Sequence, residues 1–436
     1  MKLSGAKKQT VFLTAVNTMV RALGLLMRIW MSRLVGAEVL GVMELAQSVH
    51  MTAIAPLTSG LPVAITRLTA KAGSGEKDHA LSSGLKLVRR FSLFLVPALW
   101  ILSPRIARWM GDVRVLPSLW FTAPCILILG YSAAYNGYCY GMEQSHLPAL
   151  SELIEQAVRL GLTVLLLHQL RSLTPAWQAA IPVSATMTAE IIGLWFVICK
   201  ACAPRKGIRP SQACTKAIFH LAAPATLTRL FQTLLRSLTA ILIPLRLQKS
   251  GLPAAEATAQ LGMLNGMVMP ILMMPGVFTS ALSMVLIPKI AKAEEKPSEL
   301  GRLFRLSLCS TLPLAALCAM LVYLCSPLLA ERLYRQAELT ALFQQSAWQI
   351  LLFPISHLIS SVLSALGQQR RALYVSVFSS TAALWLTWWA AGNPALRISG
   401  IIGVQYASQL LSILLGCTAL LLWKSKRRTT ADDRSF

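Results

Sequence analysis

Acidic charge is scarce in this chain: 17 Asp and Glu stand among 436 residues, against 41 Lys and Arg. Charged residues of both signs make up only 13% of the sequence, while apolar residues supply 55% and the mean hydropathy is +0.59. So thin a polar complement excludes a water-soluble protein of this size, whose surface needs roughly 25–35% charged residues to stay dispersed. No polar run is long enough for a separate soluble catalytic domain. Neither a phosphate-cradling P-loop nor a nucleophile–base constellation is visible, which argues against direct ATP use and covalent chemistry. Paired cysteines are also lacking. The nine cysteines are scattered, several within apolar runs (Cys125, Cys309, Cys417), and the CxxC of Cys199 and Cys202 has no second pair near it. The expectation is no metal site and no disulfide.

What the chain does have is apolar length. About 20 mainly apolar residues cross a bilayer core, and about twelve candidate spans lie near 10–33, 41–66, 88–108, 115–139, 146–169, 176–199, 217–245, 258–288, 304–327, 341–366, 372–391 and 398–423. This predicts an all-α polytopic protein of a bacterial inner or plasma membrane. The net charge of +24 would suggest nucleic acid in a soluble protein, but the basic residues crowd into short segments between spans. Lys2, Lys7, Lys8, Arg67, Lys71, Lys77, Lys86, Lys200, Arg205, Lys206, Arg209, Lys289, Lys292, Arg370, Arg371 and the tail from Lys424 all fall on one side if both termini are cytoplasmic, as the positive-inside bias requires. No nucleic-acid partner is expected. The basic start and first apolar stretch read as a retained membrane helix rather than a cleaved signal, because Arg21 and Arg28 interrupt the stretch and many spans follow. Pro56 and Pro62 in the second span, and Pro270 and Pro275 in the eighth, predict bent helices beside a central cavity, where the freed backbone groups find partners.

An internal repeat organises these spans. Arg21 and Arg28 in the first span are echoed by Arg229 and Arg236 in the seventh at the same spacing. GVMELAQSVH from Gly41 sits opposite GMLNGMVMPI from Gly262, and the same offset places Ala70-Lys71-Ala72 on Ala291-Lys292-Ala293. Tyr140-Gly141-Met142-Glu143-Gln144 pairs with Leu366-Gly367-Gln368-Gln369. The predicted organisation is an N-terminal six-helix lobe (1–200), a cytoplasmic linker (201–216) interrupted by Pro204 and Pro210, a C-terminal six-helix lobe (217–423) and a basic cytoplasmic tail (424–436). Six is even, so the repeats run parallel about an axis along the membrane normal, a plan common among alternating-access transporters.

The segments RALGLLMRIWMSRLVGAEVLGVMELAQSV and PLTSGLPVAITRLTAKAG resemble the polysaccharide exporter and stage V sporulation protein B type of the multidrug, oligosaccharidyl-lipid and polysaccharide exporter superfamily, which is related to lipid II flippases. The resemblance implies a V-shaped, two-lobed transporter that flips undecaprenyl-linked sugar or peptidoglycan precursor, with arginines in the first helix and elsewhere in a central cavity. Arg21 and Arg28 match the first-helix position. Several relatives carry additional spans, so a lipid-tail groove built by extra helices is absent or simplified here.

Flipping such a substrate means moving a pyrophosphate and a sugar past hydrocarbon. A cationic groove lowers that barrier, and arginine's planar fork bonds phosphate oxygens two at a time while keeping its charge. Arg21 and Arg28 lie two turns apart, about 10 Å along the axis. In this reading Arg21 and Arg229 receive the pyrophosphate, and Arg28 and Arg236 extend the path. The alternative is that these arginines snorkel or pair with acids for structural reasons. Glu44, Gln47 and His50 form a polar stripe in the second span, with Asn265 near it in the eighth. Glu44 either neutralises an arginine or carries a proton, and Glu190 is a coupling residue or counter-charge. Glu155 and Arg159, four apart, are expected to form a structural pair. His50 and His357 read as cavity or packing histidines. Trp385, Trp388 and Trp389 suit an interfacial belt, and the basic tail suits anionic lipid. No cofactor is expected; energy would come from the membrane potential or a proton or sodium gradient. Two alternatives remain open: a cation-coupled multidrug exporter, disfavoured by arginine rather than an acid in the first span, and a non-transporting scaffold that recruits envelope-synthesis proteins.

Overall fold

The computed structural model describes residues 2–73, 77–201, 210–276 and 297–432, and every regular element among them is helical. In chain order these are α1 (Lys2–Thr58), α2 (Gly60–Lys71), α3 (Lys77–Trp109), a 3₁₀ turn (Val113–Val115), α4 (Leu116–Gly141), α5 (His146–Gln169), α6 (Pro175–Lys200), α7 (Gln212–Lys249) and α8 (Ala254–Leu261). A wide π turn (Gly262–Val268) then leads to α9 (Met269–Met273), followed by α10 (Pro297–Leu324), a second π turn (Leu328–Tyr334), α11 (Leu339–Ser346), α12 (Gln349–Ala365), α13 (Gln369–Ala390) and α14 (Arg397–Asp432). Among the described residues, six helical stretches are long and apolar enough to cross a membrane, or seven if α11 and α12, which meet at 44°, count as one broken span. The protein is thus an all-α, multi-pass membrane protein. The 277–288 part of the eighth predicted span, the Ala291–Ala293 match and residues 202–209 of the 201–216 linker lie outside the described residues.

The stretch from Phe12 to Lys71 is 60 residues long, about 90 Å if straight, far more than one crossing. It is not straight. Gly36 takes φ 76°, ψ −178°, a backbone state open to glycine and strained for a side chain, and Ser59 interrupts the helix between Pro56 and Pro62. The second predicted bend is realised differently. Pro270 has no N–H for the Gly266 carbonyl and its ring crowds that oxygen; the wide turn Gly262–Val268, immediately before it, absorbs the mismatch.

The helices fall into two compact units: residues 1–245 with Pro253–Gly262, and Arg246–Leu252 with Met263–Phe436. The first therefore includes most of α7 and all of α8. Its core joins Leu57, Leu61, Ile65, Val88, Ile126, Ala134, Tyr138 and Ile218. Small residues let its backbones approach closely, as they do in membrane bundles. A Cβ at Gly137 would stand 2.6 Å from the Pro62 carbonyl, and one at Gly41 would run into the Thr258 backbone. A Cβ at Gly262 would meet the Ala37 carbonyl and the Gly41 nitrogen, so the two glycines that head the repeated decapeptides face one another.

In the second unit, Leu358, Val362, Leu366 and Trp423 form a core between α12 and α14. Tyr334 stacks on Phe343 and donates to the Met267 carbonyl at 3.0 Å. Trp385, Trp388 and Trp389 are exposed, and the Arg246 guanidinium lies 4.4 Å over the Trp388 ring while its Nε donates to the Trp388 carbonyl at 2.8 Å, joining a cation–π contact to a charge-assisted bond.

The packing predicts opposite outcomes for one substitution at two glycines. Gly161→Ala, with nothing within 4 Å of its Cβ, should be neutral or stabilising by up to about 1 kcal/mol from helix propensity. Gly137→Ala should lose about 1–3 kcal/mol to overpacking. Unfolding of the two variants in detergent micelles gives the comparison.

Candidate functional site

Polar side chains of the first unit converge where α1, α4, α5 and α6 pack together. A cavity of about 410 Å³ there is lined by Thr58 and Pro62, by Ser132, Asn136 and Tyr140 of α4, by Glu152, Glu155, Gln156 and Arg159 of α5, and by Glu190 of α6, with apolar neighbours. The α4 residues recur every four positions and so lie along one helix face. That regular polar stripe in an apolar helix was the available signal for this wall, and the sequence reading passed over it.

Arg159 donates to Glu190 at 3.4 Å. Arg159 thus reaches across to α6, while the Glu155 carboxylate, within electrostatic range of Arg159, accepts from Ser151 Oγ at 2.7 Å. Gly193 on α6 leaves a niche in which the Glu155 side chain sits, so close that a Cβ at Gly193 would overlap the carboxylate. Glu155 and Glu190 are both buried. His50 is also buried and its Nδ1 has no hydrogen-bond partner.

Arg28 and Glu44 pair at 2.6 Å. Sixteen residues of straight helix would separate them by about 24 Å, beyond the joint reach of the two side chains. The Gly36 break brings them together. Arg21, upstream of the break, is exposed, and beside it a Cβ at Gly24 would stand 2.9 Å from Gln156 Nε2. Arg229 and Arg236 are exposed on α7 and belong to the same unit as Arg21 and Arg28. Next to Arg236, Ser237 Oγ donates to the Ser48 carbonyl at 2.6 Å and shares a 2.8 Å bond with Thr52 Oγ1, and Thr226 Oγ1 accepts from Gly60 N at 3.3 Å. These contacts hold the polar face of α7 to α1 and α2. Asn265 occupies the wide turn Gly262–Val268, in the second unit.

A second polar cluster, also unforeseen, joins Glu38, Asp112, Arg114 and Thr258. Asp112 caps the 3₁₀ turn and takes two bonds from the Arg114 guanidinium, at 2.9 and 2.7 Å; Arg114 also bonds Glu38, and Thr258 Oγ1 donates to Asp112 at 3.1 Å. It ties α1, the turn and α8 into one piece. Its members are far apart in sequence, so spacing gave no hint of it.

Residues 6–294 match the family of polysaccharide biosynthesis proteins. Over 429 residues the chain is 25% identical to stage V sporulation protein B of Bacillus subtilis (strain 168), covering 94% of this chain and 82% of that protein. The fold is similar to that of the lipid II flippase MurJ in an inward closed conformation, with TM-score 0.76 and 14% identity over 94% of this chain and 87% of that one. It is also similar to an inward-facing multidrug resistance MATE family transporter of the MOP superfamily, with TM-score 0.73 and 16% identity over 95% and 99% of the two chains.

The Arg159–Glu190 contact sets a double-mutant test. Arg159→Met alone, by leaving Glu190 buried and unmatched, should cost about 3–5 kcal/mol. Adding Glu190→Gln should return part of that loss, and thermal unfolding of the single and double variants in micelles reads the difference.

Proposed function

The chain belongs to the polysaccharide biosynthesis protein family, and from that premise we propose that it is a secondary-type transporter that flips a polyprenyl-pyrophosphate-linked saccharide or peptidoglycan precursor from the inner to the outer leaflet. The observation that carries this reading is the grouping of Arg21, Arg28, Arg229 and Arg236 on α1 and α7 of one unit, with hydroxyl contacts fastening those helices together beside Arg236. Three of the four are exposed, as groups that meet a diphosphate must be. Arg28 already holds Glu44, so in this proposal it exchanges that carboxylate for a substrate oxygen, a trade between two charge-assisted bonds of like kind. The printed names of the relatives, a sporulation protein and a lipid II flippase, support the substrate class.

The remaining parts of the reading are about twelve spans in two parallel six-helix repeats, with lobes at 1–200 and 217–423 joined by the 201–216 linker, and both termini in the cytoplasm of a bacterium. The basic tail meets anionic lipid, and the work is driven by the membrane potential or an ion gradient. Envelope-synthesis proteins are the natural partners. A reporter enzyme that is active only outside the membrane, fused after Trp423, should stay silent, whereas the same reporter at Gly111 should be active.

Flipping of defined polyprenyl-pyrophosphate saccharides in proteoliposomes tests the function. Arg21→Gln and Arg229→Gln should each slow it by roughly tenfold or more, since each removes a charged hydrogen bond worth about 1.5–3 kcal/mol. Unchanged flipping in both folded variants would remove the arginine pathway. No flipping by the native protein under an imposed potential or gradient would leave a drug exporter or a scaffold.

A further inference from the structure

Acidic residues number 17 in the whole chain, yet Glu152, Glu155 and Glu190 line one cavity. Glu152 is exposed at its edge, but Glu155 and Glu190 are each only 7% exposed. One guanidinium answers them: Arg159, bonded to Glu190 at 3.4 Å. With Glu155 and Glu190 both ionised, the buried set carries one negative charge too many, and a hydrocarbon surround does not tolerate that.

The neighbouring elements do not supply the missing charge. On α1, Arg28 is engaged by Glu44, and Arg21 lies toward Glu152. Within electrostatic range, α4 contributes the hydroxyl of Ser132 to Glu190 and the Cys125 thiol, and the phenol of Tyr140 lines the cavity. None of these is a cation. Between Pro175 and Ile198, α6 has no basic residue. A separate observation marks the place. Asn136 and Arg159, which line the cavity, have Oδ1 and Nε buried without a partner, and His50, 5% exposed and within electrostatic reach of Arg159, has none for Nδ1.

We propose that this cavity wall binds one exchangeable proton, shared by Glu155 and Glu190 opposite Arg159, and that its binding and release are linked to transport. The site itself follows from the charge count; the link to transport rests on the flippase reading. Among the described residues no three carboxylate, imidazole or thiol groups converge closely enough to hold a metal ion, whereas a proton needs a single oxygen or nitrogen. It passes between a carboxyl oxygen and solvent through the cavity. Bound, it leaves the set neutral. Released, it leaves two carboxylates competing for Arg159, which changes the contact between α5 and α6 and so gives a gradient something to act on.

Infrared difference spectroscopy of the full chain in liposomes, titrated from about pH 5 to pH 8, tests the site. The native protein should lose one protonated-carboxyl band as pH rises. Glu155→Gln and Glu190→Gln each remove the surplus charge, so the band should vanish in both, and it should persist in Glu44→Gln. Sodium at constant pH should leave it unchanged. The absence of a titrating band, a band that survives in both variants with native far-ultraviolet circular dichroism, or a band abolished by sodium would overturn the proposal. Flipping under an imposed proton gradient is the second arm. Gradient dependence present in the native protein and lost in Glu190→Gln supports the link. A band that titrates in a protein that flips no saccharide upholds the site and removes the function instead.

Discussion

An ionised side chain inside hydrocarbon has to be matched, and the first unit is arranged around that requirement. Arg28 meets Glu44, Arg159 meets Glu190, and Arg114 meets both Asp112 and Glu38. Apart from Asp112, which caps the turn that carries Arg114, each partner comes from another helix or from beyond a break. Arg28 finds Glu44 because Gly36 breaks α1, Arg159 finds Glu190 because α5 and α6 pack side by side, and Arg114 finds Asp112 at the cap of its own turn and Glu38 because that turn is pressed against α1. The charges thus report where helices are broken and which helices touch, and the unit's geometry and its electrostatics are two descriptions of one arrangement.

Close packing makes this possible. Gly193 gives the Glu155 carboxylate its niche, and Gly24 gives Gln156 its place beside α1. Without these gaps α5 would stand off from both neighbours, and the cavity wall would lose its polar members. Glycine here works through volume rather than through backbone freedom. Gly36 is the exception, since its positive φ is the break itself.

Much of the architecture was legible in the sequence because apolar length is a strong signal. The break between the first two predicted spans falls at Gly36, between their stated limits of 33 and 41, and the bend near Pro56 and Pro62 is present. The bend near Pro270 takes the form of a wide turn that begins eight residues earlier, at Gly262, which proline position alone does not specify. The arginine spacing in α1 and α7 could be read directly. The partners of charged residues could not. Helical spacing brings Glu155 near Arg159, while the hydrogen bond of Arg159 goes to Glu190 on another helix, and the Asp112–Thr258 contact spans parts of the chain that no local pattern connects. Sequence periodicity reports neighbours on one helix, and in a membrane bundle many polar contacts are made between helices.

The first unit is discontinuous in the chain: it leaves off at Leu245 and resumes for Pro253–Gly262. A protein cut between Arg246 and Leu252 would therefore not separate into two self-sufficient halves. The N-terminal fragment would lack α8, leaving Gly41 without the Thr258 backbone against it and Asp112 without the Thr258 hydroxyl, while the C-terminal fragment would carry an orphaned helix shaped to fit its counterpart. Such fragments should reassemble when produced together, with α8 as the piece one half lends to the other.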